Sequence, residues 1–308
     1  MEQGIKEMSQ KGAKLREIAS DFQCQLLVNQ PLSRYTTIGI GGAAPFMLFP
    51  FKEENLQVLF AALKEESLSW RVIGGGSNII VNDNGIKEII INLSKLDFKP
   101  HFEGEVARVP AGFRLEKFVR EAAHRGLGGV EFLSGIPGCL GGAIKMNAGS
   151  FGGSIAGILS QVEMISSDGK RELRGAKELS FDYRFSSIKQ ADVVLAAQFK
   201  LKREKKQHIR EKIELYLNSR KENQPLGERS AGCIFKNPPS YFAGQLIDEL
   251  GLKGLSSGGA MISEKHANFI INREKARFED VMKLINIIKQ KVQKHMGIEL
   301  EEEVEIWN

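Results

Sequence analysis

Two glycine-rich stretches carry the first chemical signal in this chain. Residues 133–153 read LSGIPGCLGGAIKMNAGSFGG and hold seven of the chain's 32 glycines, with Lys145 as their one charged residue. Residues 74–78 read GGGSN between two apolar runs, WRVI and IIV. Ordering glycine costs backbone entropy, so a cluster of them needs a compensating gain. The usual gain is close approach of backbone N–H groups to an anion, often a phosphate. A buried loop between packed layers is the competing reading for 133–153, and a plain hairpin turn for 74–78. A P-loop is excluded at 74–78, because no Gly-Lys-Ser/Thr follows. Residues 39–44 (GIGGAA) fit the letters of a dinucleotide fingerprint. Pro45 and the strand-like FMLF stand where its helix should begin, so a bulged strand is expected there.

The other reactive side chains exclude more than they suggest. Cys24, Cys139 and Cys233 are far apart and make no metal-type spacing, which fits reduced thiols. Histidines 101, 124, 208, 266 and 295 form no ligand pair, so no metal site is expected. The formal charge is +5 over 308 residues, with much of the excess between Lys200 and Lys221. Within that run LKREKKQHIREK has no aromatic residue before Tyr216. Nucleic-acid binding wants aromatics interleaved with the basic residues, so attraction for anionic small molecules is the better reading. No apolar run is long enough to span a bilayer, and the N-terminus lacks a signal-like apolar core. The chain is expected to be cytoplasmic, away from membranes, and monomeric.

The elements that must position these groups alternate along the chain. Leu56, Leu59, Phe60 and Leu63 share one face of a helix over 55–68, and Met8, Leu15 and Ile18 follow a looser helical spacing. Residues 70–74 read as a strand running into GGGSN, with extension resuming at IIV. Strands are expected at 87–93, 105–110 and 193–201. A helix is expected over 114–125, with Leu115, Phe118, Val119 and Ala122 inward. Asp168-Gly169 signals a hairpin. Composition changes near 205, where a helix over 209–221 leads to a second unit: helix 243–250, strand 267–271 and helix 275–296. Phe278, Val281, Met282, Ile285, Ile288 and Val292 make a core stripe on the last helix. The closing strand, 298–307, is too polar to be a central one. The pattern is α+β with glycine-rich joints.

Several stretches then line up together: TTIGIGG (36–42), VIGGGSNIIV (72–81), EFLSGIPGCLGGAIKMNAG (131–149), FDYRFS (181–186), RKENQPLGERSAGCIFKNP (220–238), AGQLIDELGLKG (243–254), GGAMISEKHANFIIN (258–272) and LEEEVEIW (300–307). In this order and spacing the chain resembles the UDP-N-acetylenolpyruvoylglucosamine reductase family (UDP-N-acetylmuramate dehydrogenases), flavoenzymes of peptidoglycan precursor synthesis. It looks like the shorter class, without the tyrosine-loop insertion. The resemblance implies an FAD-binding fold of the vanillyl-alcohol oxidase type over 1–205, in subdomains of about 1–93 and 94–205. A substrate domain over 206–308 would follow, its last strand at 298–308 returning to the active site. It implies non-covalent FAD, NADPH as hydride donor and a nucleotide-sugar substrate whose enolpyruvyl ether is reduced to a lactyl ether.

Site residues follow from the same resemblance. Gly74, Gly75, Gly76, Ser77 and Asn78, with Ser134, Gly135, Ile136, Pro137, Gly138, Gly141 and Gly142, would clamp the FAD diphosphate. Ala143, Asn147, Ala148 and Gly149 would run beside the isoalloxazine. Hydride addition to the methylene carbon leaves a carbanion next to a carboxylate, best drawn as an enolate. Arg184 in FDYRFS would be its cation, since a planar, permanent charge suits that group. By itself an arginine between Tyr183 and Phe185 reads as an exposed strand residue. The family's SAGSxFKNP pattern places a proton-donating serine where this chain has Cys233. A thiol of reference pKa about 8.5 stays mostly protonated at neutral pH and is competent in that role; a small buried cysteine is the alternative. Glu303 in LEEEV matches the family's C-terminal glutamate. The register could slip by one; in a strand Glu301 and Glu303 share a face and Glu302 points away. Lys221, Lys236 and Asn237 are candidates for the substrate's phosphates and carboxylate. His266 and Asn268 would face the sugar, with His266 equally readable as a core histidine. An oxidase of the same flavin fold, or a non-enzymatic nucleotide-sugar or nucleic-acid binding module, are the competing readings.

Overall fold

The computed structural model describes residues 2–97, 99–166 and 169–308, with side chains from residue 10 onward. The chain forms two compact units, one of residues 1–30, 44–74 and 87–216, the other of 31–43, 75–86 and 217–308. The split expected at 205 assigns 31–43 and 75–86 to the first domain. Their apolar side chains Ile38, Ile40 and Ile80 instead belong to the second unit's core, and the division near 205 falls between Tyr216 and Leu217, inside the Lys206–Asn223 helix.

The first unit holds two larger sheets, beside three two-stranded pairings among the described residues. One has the order Cys24–Pro31, Ala43–Pro50, Ile89–Asn92, Trp70–Ile73. Ile89–Asn92 runs parallel to both of its neighbours, and all four of its residues are buried. A parallel strand covered on both faces reads as an unbroken apolar run, which is how III arises here. The Leu56–Glu65 helix buries the expected Leu56, Leu59, Phe60 and Leu63. The Glu2–Asp21 helix, longer than the expected one, buries Leu15 and Ile18; the side chain of Met8 lies outside the described residues.

The other sheet is antiparallel, in the order Arg171–Gly175, Leu159–Ile165, Val193–Lys200, Val106–Pro110, His101–Glu103. Ile165 pairs with Arg171 across the expected hairpin, whose Asp168 lies outside the described residues. The Leu115–His124 helix buries Leu115, Phe118, Val119 and Ala122, with Phe118 tilted on Phe199 at 5.2 Å. On this sheet Glu163 accepts from Arg108 Nε and Nη2 at 2.5 and 2.6 Å and from Arg171 Nη2 at 3.1 Å. Arg108 also reaches Glu53 at 3.0 Å. The Arg108 hydrogen bond holds the Glu163 carboxyl below its ordinary range, against a smaller upward push from burial.

The second unit is a four-stranded antiparallel sheet, Ser230–Cys233, Phe269–Asn272, Ala260–Ile262, Ser256–Ser257, packed with the helices Ala243–Glu249 and Phe278–Met296. The expected stripe on the last helix is core: Val281, Ile285, Ile288 and Val292 are buried, with Phe278 and Met282 packed at its edge. That helix begins with the Arg277 N–H donating to Asp280 and ends at Gly297, whose φ of 69° closes it with a left-handed cap. The closing segment contributes only Glu305–Trp307 as strand, pairing parallel with Ile79–Val81. The polar run of the expected strand, Glu299 and Glu301 to Glu303, stays outside it; what pairs is Glu305, Ile306 and the buried Trp307, in a two-stranded pairing rather than a central position.

Candidate active site

The loop 74–78 is not a hairpin turn. Trp70–Ile73 pairs with Ile89–Asn92, whereas Ile79–Val81 pairs with Glu305–Trp307, so the strands on either side of the glycines join different sheets. Gly76 sits at φ 61°, and a Cβ there would lie 1.8 Å from the Tyr35 carbonyl oxygen. Only glycine fits. The tight approach is fixed by Thr37, whose N–H donates to Gly76 O at 2.9 Å and whose hydroxyl donates to Ser230 O at 2.6 Å. TTIGIGG is therefore the bed of this loop rather than a ligand fingerprint.

Within the second unit the loop meets the C-terminal glutamates and the cysteine strand. The Asn78 amide donates to Glu303 O at 3.0 Å, and Glu305 N–H donates to Asn78 O at 2.9 Å. Glu303 N–H donates to Ile234 O at 2.7 Å, directly after Cys233, and Phe235 bridges Glu302 antiparallel. Ser77 O lies 3.8 Å from where a Cβ of Gly232 would stand. Ser77, Asn78, Cys233 and Glu303 are thus neighbours. The three adjacent glutamates differ in what holds them. Glu301 pairs with Lys236 at 2.5 Å, and Glu302 pairs with Lys289 at 2.8 and 3.0 Å. Glu303 is the member whose backbone is gripped from both sides. Cys233 is half-buried at the end of Ser230–Cys233.

The remaining substrate candidates divide by what already holds them. Asn268 is buried, and both ends of its amide serve the backbone of Phe235: Oδ1 accepts its N–H at 3.0 Å and Nδ2 donates to its carbonyl at 2.8 Å. It braces the strand that carries Cys233. His266 Nδ1 accepts the Asn268 N–H at 3.2 Å, and the ring packs edge-on to Phe269 at 5.0 Å. Burial, helped by the Lys253 charge, pushes the His266 imidazolium to lower pKa, which favours the neutral ring that this hydrogen bond needs. Asn237 Oδ1 accepts the N–H of Ala243, the first residue of its helix. Lys221 has an exposed side chain near the end of the Lys206–Asn223 helix.

In the first unit the two glycine stretches meet. A Cβ at Gly74 would stand 3.3 Å from Cys139 Cβ. Gly135 and Gly138 hold φ of 74° and 118° around Ile136 and Pro137, and the Gly138 carbonyl receives the Leu115 N–H. Ser134 is buried at the start of this turn. The stretch then contains a helix the sequence concealed, Leu140–Lys145. Gly141 donates its N–H to Ala111 O at 2.8 Å, so that donor is committed to the fold, and its missing side chain admits Ala111 Cβ at 3.0 Å. Gly141 is a packing glycine, not the phosphate donor expected. Gly142 differs: a Cβ there would meet nothing within 4 Å. Burial raises the Cys139 thiol, with Arg114 pulling the other way, so it stays protonated.

Arg184 lies in the turn between Phe181–Asp182 and Phe185–Ser186, at φ 54°, and its Nη1 donates to Gly149 O at 3.1 Å. The Tyr183 ring lies 5.2 Å from the guanidinium carbon. Ala148 N–H donates to Ala143 O at 2.7 Å, which folds the chain back after the short helix and presents Asn147 through Gly149 beside this turn. Without the family resemblance Arg184 reads as an ordinary exposed residue; the left-handed backbone and the carbonyl partner mark it as constrained.

An FAD binding domain model matches residues 44–172, and a model of the UDP-N-acetylenolpyruvoylglucosamine reductase C-terminal domain matches 224–307. The UDP-N-acetylenolpyruvoylglucosamine reductase of Moorella thermoacetica is 39% identical over 291 residues, 94% of this chain and 96% of that protein. Reductase 1 of Bacillus anthracis is 40% identical over 92% of this chain and 94% of its own. The crystal structure of the Thermus caldophilus reductase superposes with a TM-score of 0.79 at 39% identity, covering 92% of this chain and 99% of that one. With α+β units, glycine-lined turns and a match that runs through nearly its whole length, this chain belongs to the UDP-N-acetylenolpyruvoylglucosamine reductase family.

Proposed function

We propose that the protein reduces UDP-N-acetylglucosamine enolpyruvate to UDP-N-acetylmuramate, with NADPH as reductant and non-covalently bound FAD, in peptidoglycan precursor synthesis. The glycine-lined backbone fits such a cofactor. Gly142 leaves open space where a side chain would stand, and Gly74 admits the Cys139 turn closely. Gly74 to Asn78, with Gly135 and Gly138, would hold the diphosphate by N–H dipoles, with no lysine required; Ser134 and Ile136 have their N–H groups bonded to Glu131 O and Leu133 O and would line the turn with Pro137. FAD, when bound, supplies the two-electron transfer between NADPH and the enol ether.

The chain's own residues supply the rest. The Arg184 guanidinium holds the carboxylate as it takes on enolate character. The Cys233 thiol gives its proton to the carbon beside the carboxylate, and Glu303 relays a proton from water back to the thiolate. Lys221 would meet the substrate phosphates. Lys236 and Asn237, on the same segment as Cys233, would likewise meet the substrate's phosphates and carboxylate, with His266 and Asn268 toward the sugar. The observation that carries this assignment is the Glu303 N–H bond to Ile234 O, 2.7 Å, which sets the glutamate beside the cysteine. We place the reaction in a reducing, cytoplasmic setting, as suits an NADPH-linked enzyme whose three cysteines form no disulfide, and expect a monomer. No helix among the described residues is long and apolar enough to cross a membrane.

The test is direct. Purified protein should be yellow, bleach with NADPH and regain its colour on addition of enolpyruvyl-UDP-N-acetylglucosamine. Failure of that substrate to reoxidise the flavin removes the assignment.

A further inference from the structure

The end of the glycine-rich stretch holds the Arg184 turn through every second residue. Lys145 O accepts from Ser186 Oγ at 2.7 Å, and Lys145 Nζ donates to the carbonyls of Gln190 and Lys189 at 3.0 and 3.3 Å. Asn147 Nδ2 donates to Asp182 O at 2.9 Å. Gly149 O accepts from Arg184 Nη1 at 3.1 Å. The turn is a short hairpin, closed at its base by Ser187 N–H donating to Ser180 O and Ser180 N–H to Ser187 Oγ, both at 2.9 Å. Two residues pair on each side, and an arginine at φ 54° costs about 1 kcal/mol or more relative to ordinary backbone.

Asn147 is built differently from its neighbours. It is buried, stands at φ 42° where asparagine is among the few tolerated side chains, and uses both ends of its amide. Oδ1 accepts the Ala156 N–H at 3.0 Å while Nδ2 holds Asp182 O. A side chain so engaged is a poor candidate for a flavin contact, the role its place in the sequence implied. We propose that Asn147 is a positioning residue for Arg184: its amide pins the Asp182 carbonyl, and so fixes the strained turn from which the guanidinium reaches Gly149. The inference rests on the reading of Arg184 as the cation that meets the substrate carboxylate.

The experiment follows the two half-reactions of the holoenzyme by stopped flow. Asn147→Asp keeps the acceptor for Ala156 and loses the donor to Asp182. Asn147→Gly removes the amide while accepting the left-handed backbone. In both, flavin content should match wild type and reduction by NADPH should stay within about 2-fold, while reoxidation by the enolpyruvyl substrate slows about 10²-fold, the scale of a small misplacement. Arg184→Ala should slow reoxidation about 10³-fold. Adding Asn147→Asp to Arg184→Ala should then cost no more than about 3-fold further, since residues acting as one unit are not additive. Loss of flavin, equal slowing of both halves, a full additional loss in the double variant, or failure of both Asn147 variants to fold overturns the proposal. So does normal reoxidation in both Asn147 variants with Arg184→Ala slow. Normal reoxidation in Arg184→Ala overturns the Arg184 reading itself.

Discussion

The side-chain amide of Asn78 donates to the main-chain carbonyl of Glu303 at 3.0 Å. A residue chosen from sequence as a diphosphate ligand therefore also holds the C-terminal glutamate in place. Asn78→Ala should leave that carbonyl without its donor and lower stability by about 1–3 kcal/mol. Urea denaturation measures the loss. Reoxidation by substrate should fall more than reduction by NADPH; the reverse order would mean that Asn78 serves the cofactor alone.

Cys233 offers a sharper separation. Cys233→Ala should retain reduction by NADPH and lose most substrate-driven reoxidation, because only the second half-reaction needs a proton at carbon. Cys233→Ser should remain active. Equal losses in both half-reactions would make the cysteine a packing residue.

Two glycines should respond in opposite ways. Gly76→Ala meets the Tyr35 carbonyl at 1.8 Å from an unfavourable φ, so expression of folded protein should fail or the melting temperature should drop by several degrees. Gly142→Ala meets no protein atom within 4 Å. It should fold with an unchanged melting temperature and bind FAD more weakly, read as absorbance retained after gel filtration. Full flavin retention in Gly142→Ala would place the cofactor elsewhere.

Acid stability should report on Glu163. Its carboxyl titrates lower in the folded protein than in the unfolded chain, through the Arg108 hydrogen bond first. Between those two pKa values the unfolded chain binds more protons, so stability rises with pH there. The contribution is present above the ordinary carboxylate pKa of about 4.3 and is lost as pH falls through the lowered one. Denaturation midpoints from pH 6 to pH 3 should fall more steeply for wild type than for Glu163→Gln. Identical slopes would assign the acid sensitivity to other carboxylates.

The helices that were legible in sequence are those with one apolar face. Leu56–Glu65, Leu115–His124 and Phe278–Met296 show their buried sides at helical spacing. Leu140–Lys145 does not, since two of its six residues are glycine and it is held by a bond from Gly141 to the distant Ala111 carbonyl. Ser230–Cys233 is equally hidden: its letters have little strand preference, and pairing with Phe269–Asn272 extends them. Among the candidate site residues, Cys233 and Glu303 stand out in the sequence because their surroundings match a family pattern. The bracing roles of Asn147 and Asn268 were not, because each amide acts on main-chain atoms more than thirty residues away. No local pattern encodes such a partner.

The bond between Asn78 and Glu303 joins residues 225 positions apart. During synthesis Asn78 leaves the ribosome long before its partner exists, and Ile79–Val81 waits equally long for Glu305–Trp307 to pair with it. Loop closure over so long a span is slow to be rewarded. The nascent chain can complete its helices early, but the seat of the 74–78 loop forms only once residues 303–307 have been made, so the order of this loop arrives late in folding.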